Sequence, residues 1–349
     1  MDEVSFLREL VEVASPSGDE DAVGEFLVKS MGELGFRAHR DEAGNAVGEI
    51  GAPEAERVIV LLGHMDTVPG KVPIRQEGSL LYGRGSVDAK GPLATFILAA
   101  SRVADELGDA RIRVIGAVEE ESYGRGAKHL AGTMAPPECV VIGEPSHWEG
   151  ITLGYKGRMC VDYRRSQPGS HSAGEEQGPA EKAIAFWNRL MTHAEQQNGG
   201  ESGRFTTLDP ALNEFRTFSD GLDDGVEMRI VMRVPPGVDT DELKANMESW
   251  SKEAELSFSP IDQPFQADKN TPLVRALLRA IRDQGGRPRF KLKTGTSDMN
   301  VVGPAWGCPM VAYGPGDSSL DHTPDEHIDV REYRRAIKVL AGALRLLVQ

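Results

Sequence analysis

Residues 57–66 read RVIVLLGHMD. After Arg57 the run is apolar and β-branched with no polar alternation, the pattern of a strand buried on both faces. At His64 it gives way to polar groups. The same change recurs twice: RIRVIGAV (111–118) runs into Glu119-Glu120-Glu121, and CVVI (139–142) into Gly143-Glu144-Pro145. Between the first two strands, residues 91–107 (GPLATFILAASRVADEL) suit a helix, with Pro92 tolerated in its first turn. This alternation predicts an α/β fold, a mixed and mostly parallel sheet flanked by helices. Such sheets bind ligands at the carboxyl edge of their strands, where His64, Asp66, Glu120, Glu121 and Glu144 all fall.

Outward from this core, residues 4–13 and 20–34 read as helices separated by the turn-forming Ser15-Pro16-Ser17-Gly18. From about residue 153 the pattern shifts. Residues 158–165 and 226–234 alternate like half-buried antiparallel strands, and 179–193 and 240–253 suit helices. The α/β pattern returns near residue 271. The expected organisation is a discontinuous catalytic domain, 1–152 with 268–349, carrying an inserted α+β domain over 153–267. The closing helix, 330–347, has Asp329 as N-cap and Glu332 three residues on, the spacing of a capping box.

The chain has 349 residues, 40% hydrophobic and 27% charged, a globular composition of a length that suits two domains. Its net charge of −15 argues against nucleic-acid and anionic-membrane partners. No apolar run approaches the roughly 20 residues of a membrane span. Three scattered cysteines, Cys139, Cys160 and Cys308, form no disulfide framework and fit a reducing, cytoplasmic setting. Gly83-Arg84-Gly85 opens like a dinucleotide fingerprint, but Asp88 stands where its last glycine belongs.

Taken singly, the polar residues at the strand ends have plain structural readings. Glu119–Glu121 could be a solvated helix start, Asp88 an N-cap, His64 a loop imidazole. Together, His64, Asp66, Asp88, Glu120, Glu121, Glu144 and His322 offer imidazole and carboxylate donors for divalent cations. So many acids on one rim would repel each other without positive charge between them.

The stretches GHMDTVPG (63–70), YGRGSVDAKGPLA (82–94), VEEES (118–122), IGEPS (142–146), PGSHSAGEEQGPA (168–180), KTGTSDMN (293–300) and DHTPDEHI (321–328) resemble, in order, the motifs of the M20 family of co-catalytic zinc peptidases and deacylases. The resemblance implies two divalent metal ions, zinc first and cobalt as an alternative. His64, Asp88 and Glu144 would hold one ion. Asp88, Glu121 and His322 would hold the other, with Asp88 bridging. Glu120 would be the general base, and Asp66 would orient His64. A shift of one position in the Glu119–Glu121 run, where the family has Asp-Glu-Glu, would exchange base and ligand. A cis peptide is implied at Asp88-Ala89. The inserted domain would be the lid and homodimer interface, with His171 stabilising an oxyanion. Asn213 and Arg233 would contact substrate, as would Gly295 and Thr296. Gly178-Pro179-Ala180 departs from the family's Gly-x-Asn-Ala.

Within the family the motifs look most similar to the branch that frees lysine or ornithine from the C-terminal glutamate of an acidic amino-group carrier protein. That branch serves lysine and arginine biosynthesis. N-acetylornithine deacetylation, succinyl-diaminopimelate desuccinylation, dipeptide cleavage and a catalytically silent binding protein stay open as alternatives. Residues 271–293 hold seven cations against Asp283 alone. They read equally as a landing place for the carrier's acidic end or as a solvated helix face.

Overall fold

The computed structural model describes residues 2–169, 176–201 and 203–349. Two compact units emerge. The first comprises Met1–Gly154, Gln266–Leu292 and Ser297–Gln349; the second comprises Tyr155–Phe265 and Lys293–Thr296. Residues 293–296, expected with the catalytic domain, thus pack with the second unit.

Among the described residues, the first unit is built on a nine-stranded mixed sheet. The strand Arg57–His64 lies at its centre, parallel to Ala110–Ala117 on one side and to Cys139–Gly143 on the other. The next strand, Met310–Ala312, is parallel to Cys139–Gly143. Beyond Ala110–Ala117 the sheet continues antiparallel through Ala46–Gly51 and Arg37–Arg40. Central strands buried on both faces must be apolar throughout, and Ile59, Leu61, Val60 and Leu62 are fully enclosed.

The helix Lys90–Ser101 packs on this sheet, with residues 90–100 all buried. It ends at Ser101, short of the expected 107, and a 3-10 turn at Ala104–Glu106 follows. Close approach beneath the strand ends requires small residues. A Cβ at Gly143 would sit 3.0 Å from Gly63 Cα and 3.0 Å from the Phe96 ring. The closing helix, Val330–Val348, buries Tyr333, Ile337, Leu340, Ala341 and Leu344, an i, i+4, i+7, i+8, i+11 stripe. Its N-terminus is only half of the expected capping box. Asp329 Oδ1 accepts from the Arg331 amide, but Glu332 turns away. Its Oε1 instead accepts from the amides of Trp148 and Gly316. A long-range loop tie has displaced the local cap.

Among its described residues the second unit has a four-stranded antiparallel sheet, ordered Asp209–Ser219, Asp223–Val234, Gly157–Pro168, Glu255–Phe258. Its helices are Pro179–Asn198 and Thr240–Trp250. The first runs five residues past its expected end and stops at Gly199, which takes φ 54°, a left-handed C-cap. The edge strand Asp209–Ser219 had no sequence signal. It is exposed along most of its length, so no apolar alternation marks it.

Asn45 is wholly enclosed beside the central strands. Its Oδ1 accepts from the Val118 amide, and its Nδ2 donates to Asp41 Oδ2 and to the Gly126 carbonyl. Asn45→Ala strands these partners in the interior and should cost about 1–3 kcal/mol of unfolding free energy, read from a denaturant titration.

Candidate metal centre

The three central strands end side by side, and the polar groups fall at or just beyond their last residues. His64 closes Arg57–His64 and is 1% exposed. Its Nε2 lies 3.2 Å from Asp88 Oδ1. The other Asp88 oxygen, Oδ2, lies 3.1 Å from His322 Nε2, which is also 2.9 Å from Glu121 Oε1. One carboxylate therefore stands between two imidazoles. Donor atoms of His64, Asp88 and Glu121 all fall within 4.8 Å of one another, a spacing that could hold an ion. Glu144, at the end of Cys139–Gly143, is buried and close enough to raise the Glu120 carboxyl. The peptide between Asp88 and Ala89 is cis.

Asp66 is fully buried and does more than orient a ring. His64 Nδ1 is 3.0 Å from the Asp66 carbonyl oxygen and 3.4 Å from Oδ1. The Asp66 carboxylate accepts from the Glu120 amide (3.1 Å), the Glu121 amide (3.1 Å) and Ser17 Oγ (2.7 Å). It thus pins the backbone of the two glutamates that follow the neighbouring strand. The Ser15–Gly18 turn, read as a mere helix stop, supplies one of these donors.

Glu119–Glu121 form no helix start; the next helix is Arg125–Thr133. Glu119 takes a left-handed backbone, φ 58°, which L residues rarely adopt. Its side chain faces Arg125 Nε at 2.8 Å, away from the cluster, while Glu120 and Glu121 face inward. His322, φ 63°, shares this strained conformation.

The electrostatics are lopsided. Burial raises Glu120 well above the usual carboxylate range; His64 opposes this, while Glu144, Asp298 and Glu121 add to it. Burial likewise raises Glu121. Asp88 is also desolvated, but hydrogen bonds to His322 and His64 outweigh that and hold it low. For His64, hydrogen bonds to Asp66 and Asp88 overcome burial and raise it well above 6.5. His322 is pushed up to about 10, chiefly by its hydrogen bond to Asp88. Two imidazoles face a majority of carboxyls that cannot all ionise together. Divalent cations would supply the missing positive charge, and imidazole-plus-carboxylate is a fitting donor set for zinc-like ions.

A model of peptidase family M20/M25/M40 matches residues 60–346. The chain belongs to this family. A "[LysW]-lysine hydrolase" from Deinococcus radiodurans is 43% identical, covering 98% of this chain and 96% of that one. A "Putative [LysW]-lysine/[LysW]-ornithine hydrolase" from Pyrococcus furiosus is 40% identical, with coverage of 98% and 96%. Among solved structures, an M20 family metallo-carboxypeptidase from Sulfolobus solfataricus superposes with a TM-score of 0.80 at 19% identity, each chain covered completely. As a member of this family the chain is a hydrolase of amide bonds.

Sequence reading missed two residues of the site. Asp298, in the quoted KTGTSDMN, is buried, and its carboxyl is raised to about 7, mainly by burial. It acts electrostatically on Glu120. Glu326, in DHTPDEHI, is fully enclosed and hydrogen bonded to the Asp88 amide. Asn213, Arg233, Gly295 and Thr296 belong to the second unit. Asn213 sits where the register of its strand shifts between Leu212 and Glu214. Arg233 Nη1 is buried without a hydrogen-bond partner among the described residues. His171 lies outside the described residues.

Because the raised groups keep protons near neutrality that a bound cation would displace, metal binding should release protons. The sign is fixed: protons compete with the cation, so affinity rises with pH up to about 10, where His322 gives up its proton. Calorimetry in buffers of different ionisation enthalpy reads the release directly.

Proposed function

We propose that this chain hydrolyses the amide joining lysine, or ornithine, to the C-terminal glutamate of an acidic amino-group carrier protein. The observation that carries this reading is the 43% identity, across almost the whole of both chains, to a protein named "[LysW]-lysine hydrolase". The gathered donors around Asp88 support the chemistry.

In this reading His64, Asp88 and Glu144 hold one divalent ion and Asp88, Glu121 and His322 a second, zinc in first place and cobalt as the substitute. Ions bound there would polarise the scissile carbonyl and acidify the attacking water. Glu120 is the proton carrier. It is half-buried, and its carboxyl, raised by desolvation, is the group placed to take a proton from water and pass it to the leaving amine. The bond of Glu121, rather than Glu120, to His322 supports this frame for the glutamate run. Asp66 fixes the reach of both glutamates through their amides. Arg233 Nη1, without a hydrogen-bond partner among the described residues, suits a substrate carboxylate. Asn213, Gly295 and Thr296 complete the proposed substrate contacts, and His171 the oxyanion support.

The exposed edge strand Asp209–Ser219, with Leu212 and Phe215 open to solvent, favours a homodimer closed through it. All three cysteines are free thiols, which accords with a cytoplasmic setting. The basic stretch divides among the helix Pro272–Asp283, Arg287 in the connecting loop and the edge strand Arg289–Lys293. On that strand Arg289, Lys291 and Lys293 alternate with the exposed Phe290 and Leu292 and so share one face, a better landing place for the acidic carrier than the helix.

Glu120→Gln should lower kcat by about 10²–10⁴-fold with both metal equivalents retained. Turnover near the wild-type rate in that variant excludes the role. A hydrolysis panel of carrier-linked lysine, carrier-linked ornithine, N-acetylornithine, succinyl-diaminopimelate and dipeptides tests the substrate. The carrier-linked amides should dominate, and a preference for any small substrate overturns the assignment. Charge reversal at Arg287 and Arg289 should raise KM for carrier-linked lysine and spare a small acyl-amino acid. An equal effect on both removes the docking role.

A further inference from the structure

The segment that carries His322 also carries Glu326, and the two grip the same residue from opposite ends. His322 Nε2 lies 3.1 Å from the Asp88 carboxylate. Glu326 Oε1 accepts from the amide of Asp88 at 3.2 Å and from that of Val87 at 3.0 Å. Its other oxygen, Oε2, accepts from Arg84 Nη1 at 2.7 Å, and the Glu326 carbonyl accepts from the Gly83 amide at 3.2 Å. The Glu326 side chain is 1% exposed and that of Arg84 15%. One buried glutamate thus ties down both ends of the 83–88 loop, which delivers Asp88.

This arrangement costs something to keep. A buried carboxylate must be matched by donors, and here a cation and two amides supply the match. An apolar side chain would fill the space without that demand. What the glutamate adds is direction. Two amide hydrogen bonds to one oxygen fix the backbone of Asp88, and so fix where its two carboxylate oxygens point. One faces His64 and the other His322.

We propose that Glu326 is a positioning residue for the metal centre, acting through Asp88 on both ion sites at once. The proposal rests on the two-ion reading given above. It makes a distinction that a ligand does not: loss of His322 should weaken one ion, whereas loss of Glu326 should weaken both, because Asp88 is the shared carboxylate.

The experiment is zinc titration of the chelator-stripped full chain by calorimetry, with circular dichroism on each apo protein to establish that it is folded. Wild-type protein should take up two equivalents, and uptake of fewer overturns the two-ion reading itself, whatever the variants do. Given two equivalents, Glu326→Ala should weaken both binding steps by about 10–100-fold, the range for groups that orient metal ligands. Glu326→Gln keeps a neutral acceptor for the amides and should fall between Ala and wild type in both steps. In the folded variants kcat should return toward wild type at saturating zinc with KM for substrate unchanged, a pattern that general loss of structure does not give. Should Glu326→Ala fail to fold, Glu326→Gln alone decides. Wild-type affinity in both steps, or weakening of one step only, in a folded variant overturns the proposal.

Discussion

One carboxylate between two imidazoles is the interaction on which the rest depends. Asp88 presents one oxygen to His64 and the other to His322, residues 258 positions apart in sequence. Holding a carboxylate at that point in a buried setting requires positive partners before it and a fixed backbone behind it. Glu326 fixes the backbone by accepting from the Asp88 amide, and the imidazoles lie in front. The parallel strands bring His64, the Glu120–Glu121 pair and Glu144 to the same edge by simple adjacency: Arg57–His64 lies between the other two. The fold does not create the chemistry, but it shortens distances of tens of residues to hydrogen-bond length.

The readable parts of the central sheet were those in which full burial imposed an unbroken apolar run. Three strands and the helix between them were visible because a strand enclosed on both faces, or a helix enclosed all round, has little compositional freedom. Where burial was weak the signal disappeared. Asp209–Ser219 is mostly exposed and looks like loop sequence. The capping box at Asp329 failed for a different reason. Local spacing allowed it, but Glu332 had a competing claim from the amides of Trp148 and Gly316, which are distant in sequence and near in space.

The site divides along the same line. Residues that present imidazole or carboxylate at a strand end were legible from type and position, and the motif resemblance supplied their pairing. The groups that hold them were not. Glu326 sits four residues from His322, in a stretch already singled out, and nothing about its type distinguishes it from a surface glutamate; only its enclosure does. The same holds for Asp298, while the half-buried Ser17 hydroxyl is marked only by its bond to Asp66. The left-handed backbone at Glu119 and His322 was equally hidden, since neither residue type favours it.

The wide spacing of the cluster has a consequence for biosynthesis. A chain leaving the ribosome exposes His64, Asp88 and the glutamates long before His322 and Glu326. Until those two emerge, the bridging carboxylate has neither its second imidazole nor its anchor. Contacts of such long sequence separation form late, since loop closure must be achieved before they contribute. The nascent polypeptide therefore lacks the second imidazole and the Glu326 clamp on Asp88 until its C-terminal segment has left the ribosome.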